Sequence, residues 1–245
     1  MTARTARRGR PPKGESQLSR EAIVQATLQV IDADGVNAVS MRAVGRVLGV
    51  DAKSLYNHVD DKNGLLDAVA ELLLGAIALP ELTGDPRVDL RAIAYAFRER
   101  ALAHPEAASL VLTRQLGSFE GLAPVEAVLV VLRDAGCPPD ESVHLLRTFV
   151  ATLIGALLRE VSAGPTYGTT DTAGIAQRQS TLEASGLPAV ADAAPYLARF
   201  DGAAEYEFAV NLALEALATR LGHHHRLNQR IALNHGPNSR PKDEL

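Results

Sequence analysis

Residues 40–58 read Ser40-Met41-Arg42-Ala43-Val44-Gly45-Arg46-Val47-Leu48-Gly49-Val50-Asp51-Ala52-Lys53-Ser54-Leu55-Tyr56-Asn57-His58, and this order predicts two short helices with a tight turn between them. Ser40 offers an N-cap oxygen, Val44, Val47 and Leu48 share one face of a helix over 41–48, and Gly49 tolerates the left-handed stop. Asp51 then caps a second helix over 52–58, which leaves Lys53, Ser54, Asn57 and His58 on outward or marginal positions. Val44, Leu48, Val50 and Leu55 can bury against a preceding helix, about 20–34, through its Ile23, Thr27, Val30 and Ile31, locking the crossing angle. The pattern is a helix-turn-helix, whose second helix can enter the major groove of DNA. A helical hairpin in any α-bundle has the same outline, so other features must decide between them.

Outward from this motif nearly every apolar segment has helical spacing, and the expected fold is all-α. A fourth helix starts at Asp60 and runs to Pro80. Further helices are expected at 86–103, 107–116, 124–135, 140–163, 188–200 and 204–221, with Pro or Gly breaks between them. Residues 164–187, rich in Gly, Thr and Ser, give no clear reading. The expected organisation is a flexible basic arm (1–18), the DNA-binding domain (19–62), a larger helical domain (63–222) and a disordered tail (223–245). The 245 residues, 47% hydrophobic and 22% charged, are those of a chain that folds and can bury a sizeable core. A single cysteine, Cys137, and the lack of a basic-then-apolar leader point to a reducing cytoplasm. The longest charge-free apolar run, Phe149 to Leu158, is about half a bilayer span, so no transmembrane helix is expected.

Charge is informative by segment. Residues 1–62 carry 10 Lys/Arg against 7 Asp/Glu, whereas residues 63–222 carry 11 against 20. The two parts therefore suit different partners. Within the first 20 residues Arg4, Arg7, Arg8, Arg10, Lys13 and Arg20 face only Glu15, a segment able to lie along a polyanion.

The run Ser40 to Val50, followed by Leu55-Tyr56-Asn57-His58-Val59-Asp60-Asp61-Lys62-Asn63-Gly64-Leu65-Leu66, strongly resembles the TetR family of transcriptional regulators. Weaker echoes of its tetracycline-repressor type are Leu102-Ala103-His104-Pro105-Glu106, Thr152 to Leu158, and Phe200-Asp201-Gly202. The resemblance implies DNA contact by Arg42 at the start of the second helix and base reading by Lys53 and Ser54, with Ala52 offering only a methyl. It implies that Tyr56, His58 and Lys62 hold the DNA backbone in register. Asn57 replaces an aromatic residue common in relatives. Arg8-Gly9-Arg10-Pro11 resembles the core of an AT-hook, an arm for the narrow minor groove, so Arg8 and Arg10 join the candidate DNA contacts.

Residues 80–221 exceed what DNA reading requires. The segments 143–161 and 206–221 are apolar around most of the helix, and the resemblance implies that they pair with their copies as a four-helix dimer interface. Gly155, Ala156, Ala213 and Ala216 would allow close approach. A two-fold dimer implies a palindromic operator. The helices over 86–135 are expected to surround a small-molecule effector cavity, with Phe97, Val111, Arg114, Leu146 and Val150 as candidates. The tetracycline-repressor type holds a magnesium-chelated drug through a histidine, and Val111 stands at that position here, so no metal and no cofactor is expected. The resemblance also implies that effector binding shifts the fourth helix and releases DNA. No His-Glu-x-x-His, phosphate loop, dinucleotide glycine motif, nucleophile elbow or cysteine pair is present, so catalysis is not expected. The competing reading is a helical adaptor for protein partners without specific DNA binding.

Overall fold

The computed structural model describes residues 18–113, 120–161 and 168–234. Among them the regular structure is helical, with a single isolated bridge between Thr169 and Arg199. The chain divides into two compact units between Val69 and Ala70, seven residues beyond the expected change at Lys62.

The first unit begins with α1 (Arg20–Asp34), capped by Ser19, whose Oγ accepts from the Ala22 amide at 3.2 Å. A 3-10 turn over Val36–Ala38 leads to α2 (Met41–Leu48), α3 (Ala52–Leu55) and α4 (Lys62–Gly75), the last running on into the second unit. Ile23, Ile31, Val44, Leu55, Leu65 and Val69 are fully buried and form the core between these helices. Val47, expected on the packed face of α2, is 47% exposed, because α2 turns its Val44 and Gly45 side inward.

The second unit holds α5 (Pro86–Ala103), α6 (Pro105–Thr113), a 3-10 turn over Glu120–Leu122, α7 (Ala123–Asp134), α8 (Pro139–Val161), α9 (Thr172–Glu183), α10 (Pro188–Asp192), α11 (Ala194–Leu197) and α12 (Gly202–Asn234). Its core gathers Leu90, Ile93, Leu132, Phe149, Leu157, Tyr206 and Leu214 from α5, α7, α8 and α12. The Tyr206 hydroxyl donates to the Ala94 carbonyl at 2.7 Å, and burial pushes its ionisation well above the ordinary tyrosine range. Arg98 of α5 pairs with Glu160 of α8, and that hydrogen-bonded carboxylate raises its pKa further. Among the described residues α8 alone is long and apolar enough, by length and composition, to cross a membrane. Its Leu146, Phe149, Leu153 and Leu157 are instead buried in this core.

Several boundaries depart from expectation for local reasons. The helix expected over 52–58 ends at Leu55, because the Tyr56 and His58 amides bond three residues back, to Lys53 O at 3.3 Å and Leu55 O at 2.9 Å. That tightening places Tyr56, Asn57 and His58 in a turn. Asp61, and not Asp60, caps α4, accepting from the Gly64 amide at 2.9 Å. The same helix stops at Gly75, short of Pro80. The helix expected over 188–200 is two short ones, since Pro195 has no amide to continue the first. The α9 helix lies in the stretch that gave no reading, capped by Asp171, whose Oδ2 accepts from Gly174 N at 2.7 Å. It buries no residue, so no apolar period marks it. Finally, α12 begins at Gly202 and continues to Asn234, where a disordered tail is expected from 223.

Asp89, 3% exposed on the first turn of α5, ties down the segment before it. Its carboxylate accepts from the Thr83 amide at 2.8 Å, the Thr83 hydroxyl at 2.7 Å and the Gly84 amide at 3.0 Å. The Thr83 amide, chief among these bonds, holds the carboxyl below its usual range. The stability it contributes is complete above the unfolded pKa of about 3.9 and is lost as pH falls through the folded value. Asp89→Asn is therefore expected to lower the melting temperature at neutral pH and to flatten its decline in acid. Melting curves across the acid range check this, and a parallel pair of curves would refute it.

Candidate DNA interface and effector cavity

The helix-turn-helix is set by backbone chemistry at three points. Ser40 Oγ accepts from the Ala43 amide at 3.1 Å to start α2. Gly49 ends it at φ 68°, ψ 26°, and the Val50 amide returns to the Gly45 carbonyl at 3.0 Å, satisfying an otherwise orphaned acceptor. Asp51 Oδ1 then accepts from the Lys53 amide at 2.7 Å to start α3. Gly45 is what lets the turn lie against α2, since a Cβ there would stand 2.9 Å from the Val50 carbonyl oxygen.

Leu55 is wholly buried and Val59 nearly so, while Tyr56 between them is 56% exposed. Arg42, Lys53, Asn57, His58 and Lys62 are exposed, and Ala52 and Ser54 are half-buried. The same unit thus presents Arg42 from α2, Lys53 from α3, the polar turn Tyr56–His58 and Lys62 from the start of α4. Lys62 Nζ also donates to the Asn37 carbonyl at 3.5 Å. Such cations and hydroxyls suit phosphate oxygens, and the free amides at a helix start suit them too. Glu21, on the first turn of α1, is held below the usual carboxylate range. Its own backbone amide is the main cause, then the Ser19 hydroxyl, with the charges of Arg20 and His58 adding to them. Arg46, exposed in the last turn of α2, is a further cation on this motif that the sequence reading left without a role. Arg8 and Arg10 lie outside the described residues.

In the second unit a cavity of about 130 Å³ lies between α4, α5, α6, α7 and α8. Phe97, Val111 and Val150 line it, three of the five effector candidates. Leu146 does not. It is 9% exposed within the core, one turn before the part of α8 that faces the cavity. Arg114 lies outside the described residues. Leu74, Ile93, Val125, Val128 and Leu153 also line the space, and sequence reasoning missed them although their helical spacing marked each as inward-facing. A neighbouring recess of about 20 Å³ shares Leu74, Ile77, Phe97 and Val111 and adds Arg100 and His104. Among the described residues no group of three His, Cys, Asp or Glu is placed to hold a metal ion. The described side chains that line the cavity, Val111 among them, are apolar and offer no metal ligand.

The outer faces of α8 and α12 carry exposed apolar groups: Leu158 at 37%, Phe208 at 67% and Leu212 at 57%. Gly155 and Ala216 are exposed on these faces, whereas Ala156 is buried and Ala213 half-buried.

A polar helix-turn-helix on the same chain as an all-α unit with an apolar cavity defines a class of protein, the DNA-binding regulators that answer to small molecules. Residues 23–69 match the family of bacterial regulatory proteins, tetR family. Residues 79–221, more than half of the chain, match the tetracyclin repressor-like C-terminal domain. The chain is 29% identical over 211 residues to the tetracycline repressor protein class A from transposon 1721 of Escherichia coli, covering 84% of this chain and 93% of that one. It is 38% identical over 120 residues to an HTH-type transcriptional regulator of Saccharopolyspora erythraea, about half of each chain (49% and 51%). Apo ActR of Streptomyces coelicolor shares the fold with a TM-score of 0.75 at 22% identity, over 86% of this chain and 99% of that one. ActR in complex with actinorhodin gives 0.73 at 23% identity, over 83% and 96%. The chain belongs to the TetR family and is a transcriptional regulator. Regulators of this family bind DNA operators as dimers and respond to small-molecule ligands.

Proposed function

We propose that this regulator is a repressor that binds a palindromic operator as a homodimer and is released by a small-molecule effector held in the apolar cavity. The observation that carries this reading is the exposed set Arg42, Lys53, Tyr56, Asn57, His58 and Lys62, standing on a framework whose Leu55 and Val59 are buried. Lys53 and Ser54 read base edges, Ala52 contributes a methyl contact, and Arg42, Tyr56, Asn57, His58 and Lys62 hold the backbone in register. The basic arm lays Arg8 and Arg10 along the adjacent minor groove. Dimerisation uses α8 and α12. Phe97, Val111 and Val150 contact the effector, and α4, which begins with Lys62 and supplies Leu74 to the cavity, carries its effect to the DNA-binding unit. The protein works in the cytoplasm, where the operator is, and carries no catalytic activity.

Fluorescence anisotropy on fragments flanking its own gene, with excess non-specific duplex, tests this reading. Saturable binding to one fragment at two protomers per site is expected. Removal of residues 1–14 is expected to weaken that binding and flatten its dependence on salt, since fewer counterions are released. Loss of all binding under competitor would defeat the operator reading, and an unchanged salt slope would defeat the role of the arm.

A further inference from the structure

The cavity specifies the chemistry of its occupant more narrowly than the family does. Every described side chain on its wall is apolar, from Leu74 and Ile77 through Phe97, Val111 and Val128 to Ile154. None can accept or donate a hydrogen bond, and none can pair a charge. A carboxylate or ammonium placed there loses its hydration and finds no compensating side chain among the described residues, and a hydroxyl finds none either. An apolar ring suffers neither cost and gains contacts along the whole lining, with Phe97 and Phe149 among them.

Size narrows it further. A cavity of about 150 Å³ lined by Leu, Ile and Phe is known to stay dry and to take benzene, and drug-sized ligands ordinarily need about 300 Å³ or more. The space here is about 130 Å³. The recess beside it, about 20 Å³, has room for one small substituent or a single water. Its Arg100, which donates through Nε to the Leu73 carbonyl at 3.3 Å, and its His104 line this recess and not the larger space, so the wall that the ring itself would touch offers an acid no basic side chain among the described residues.

Resting on the effector reading above, we propose that the cavity selects a neutral, weakly polar molecule of about one ring, and discriminates against an anion of the same size. The direct test is calorimetry on the full chain without DNA, using toluene and benzoate as matched probes. Toluene is expected to bind once per chain, with an affinity at least tenfold above that of benzoate. Val128→Phe, which fills the wall from α7, is expected to reduce toluene affinity at least tenfold with circular dichroism unchanged. Val150→Phe does the same from α8 and serves if the first variant fails to fold. Equal affinity for the two probes, no toluene binding to the folded protein, or toluene binding unaltered in a folded filled variant would overturn the proposal. Operator anisotropy with and without toluene reads the regulatory step separately. Toluene that binds in the calorimeter but leaves the operator occupied defeats release by such a molecule and upholds the cavity's selectivity.

Discussion

Gly45→Val is expected to abolish operator binding, by about 100-fold or more, while the second unit stays folded. Gly45 sits in α2 with a future Cβ 2.9 Å from the Val50 carbonyl oxygen and 3.3 Å from the Ala52 nitrogen. Both neighbours are backbone, and both belong to the turn that aims α3. Any side chain must push that turn away, straining the Val50–Gly45 hydrogen bond and the Asp51 cap of α3. For alanine two effects compete. Helix propensity favours Ala over Gly by about 1 kcal/mol, and overpacking costs about 1–3 kcal/mol. Gly45→Ala therefore comes out between neutral and moderately destabilising. Valine adds two further carbons and forgoes much of the propensity gain, so the steric term dominates. The loss falls on recognition because positioning Lys53 and Ser54 to within about an ångström decides whether base edges are reached. Anisotropy on the operator, read beside size exclusion and a melting curve, checks this. Native operator affinity in the valine variant would show that the close approach at Gly45 does not set the recognition helix.

The motif could be read from sequence because local chemistry defines it. Ser40, Gly49 and Asp51 act within four residues of themselves, and the structure shows each in its capping or stopping position. What escaped depends on neighbours distant in the chain. Helix α3 ends at Leu55, four residues before the buried Val59, and nothing in Tyr56–His58 announces it. Helix α9 has no buried residue, so the periodic signal that reveals other helices is absent. Leu146 shows a subtler limit. Periodicity places it correctly on the inward side of α8, but it says nothing of where along that side the facing helices part. The gap opens one turn later, at Phe149 and Val150. Likewise Ala156, read as a small residue for an interface, is buried in the core, since a helix apolar around most of its surface does not declare which side is which.

Leu212→Asp is expected to convert the dimer to monomer and to weaken operator binding about 100-fold or more. Leu212 is 57% exposed and lies one turn from Phe208, 67% exposed, on α12, whose opposite side supplies Tyr206, Val210 and Leu214 to the core. A helix committed on one side and still apolar on the other needs a second cover. The exposed Leu158, Gly155 and Ala216 extend the uncovered face with groups small or apolar enough for another helix to approach. In a two-fold interface each substitution acts twice. Burying a leucine stabilises by about 1.5–3 kcal/mol, so about 3–6 kcal/mol is lost from two, before the cost of burying two carboxylates is added. At 1.4 kcal/mol per tenfold this moves the dissociation constant by at least about 100-fold. A monomer can engage only one half-site, and the tie between the two recognition helices is gone. Because Leu212 is exposed in the single protomer, its own unit does not depend on it for packing, and circular dichroism should remain native. Sedimentation together with anisotropy decides the matter: a Leu212→Asp variant that still sediments as a dimer at operator-binding concentrations, with unchanged affinity, would move the interface away from the α8 and α12 faces.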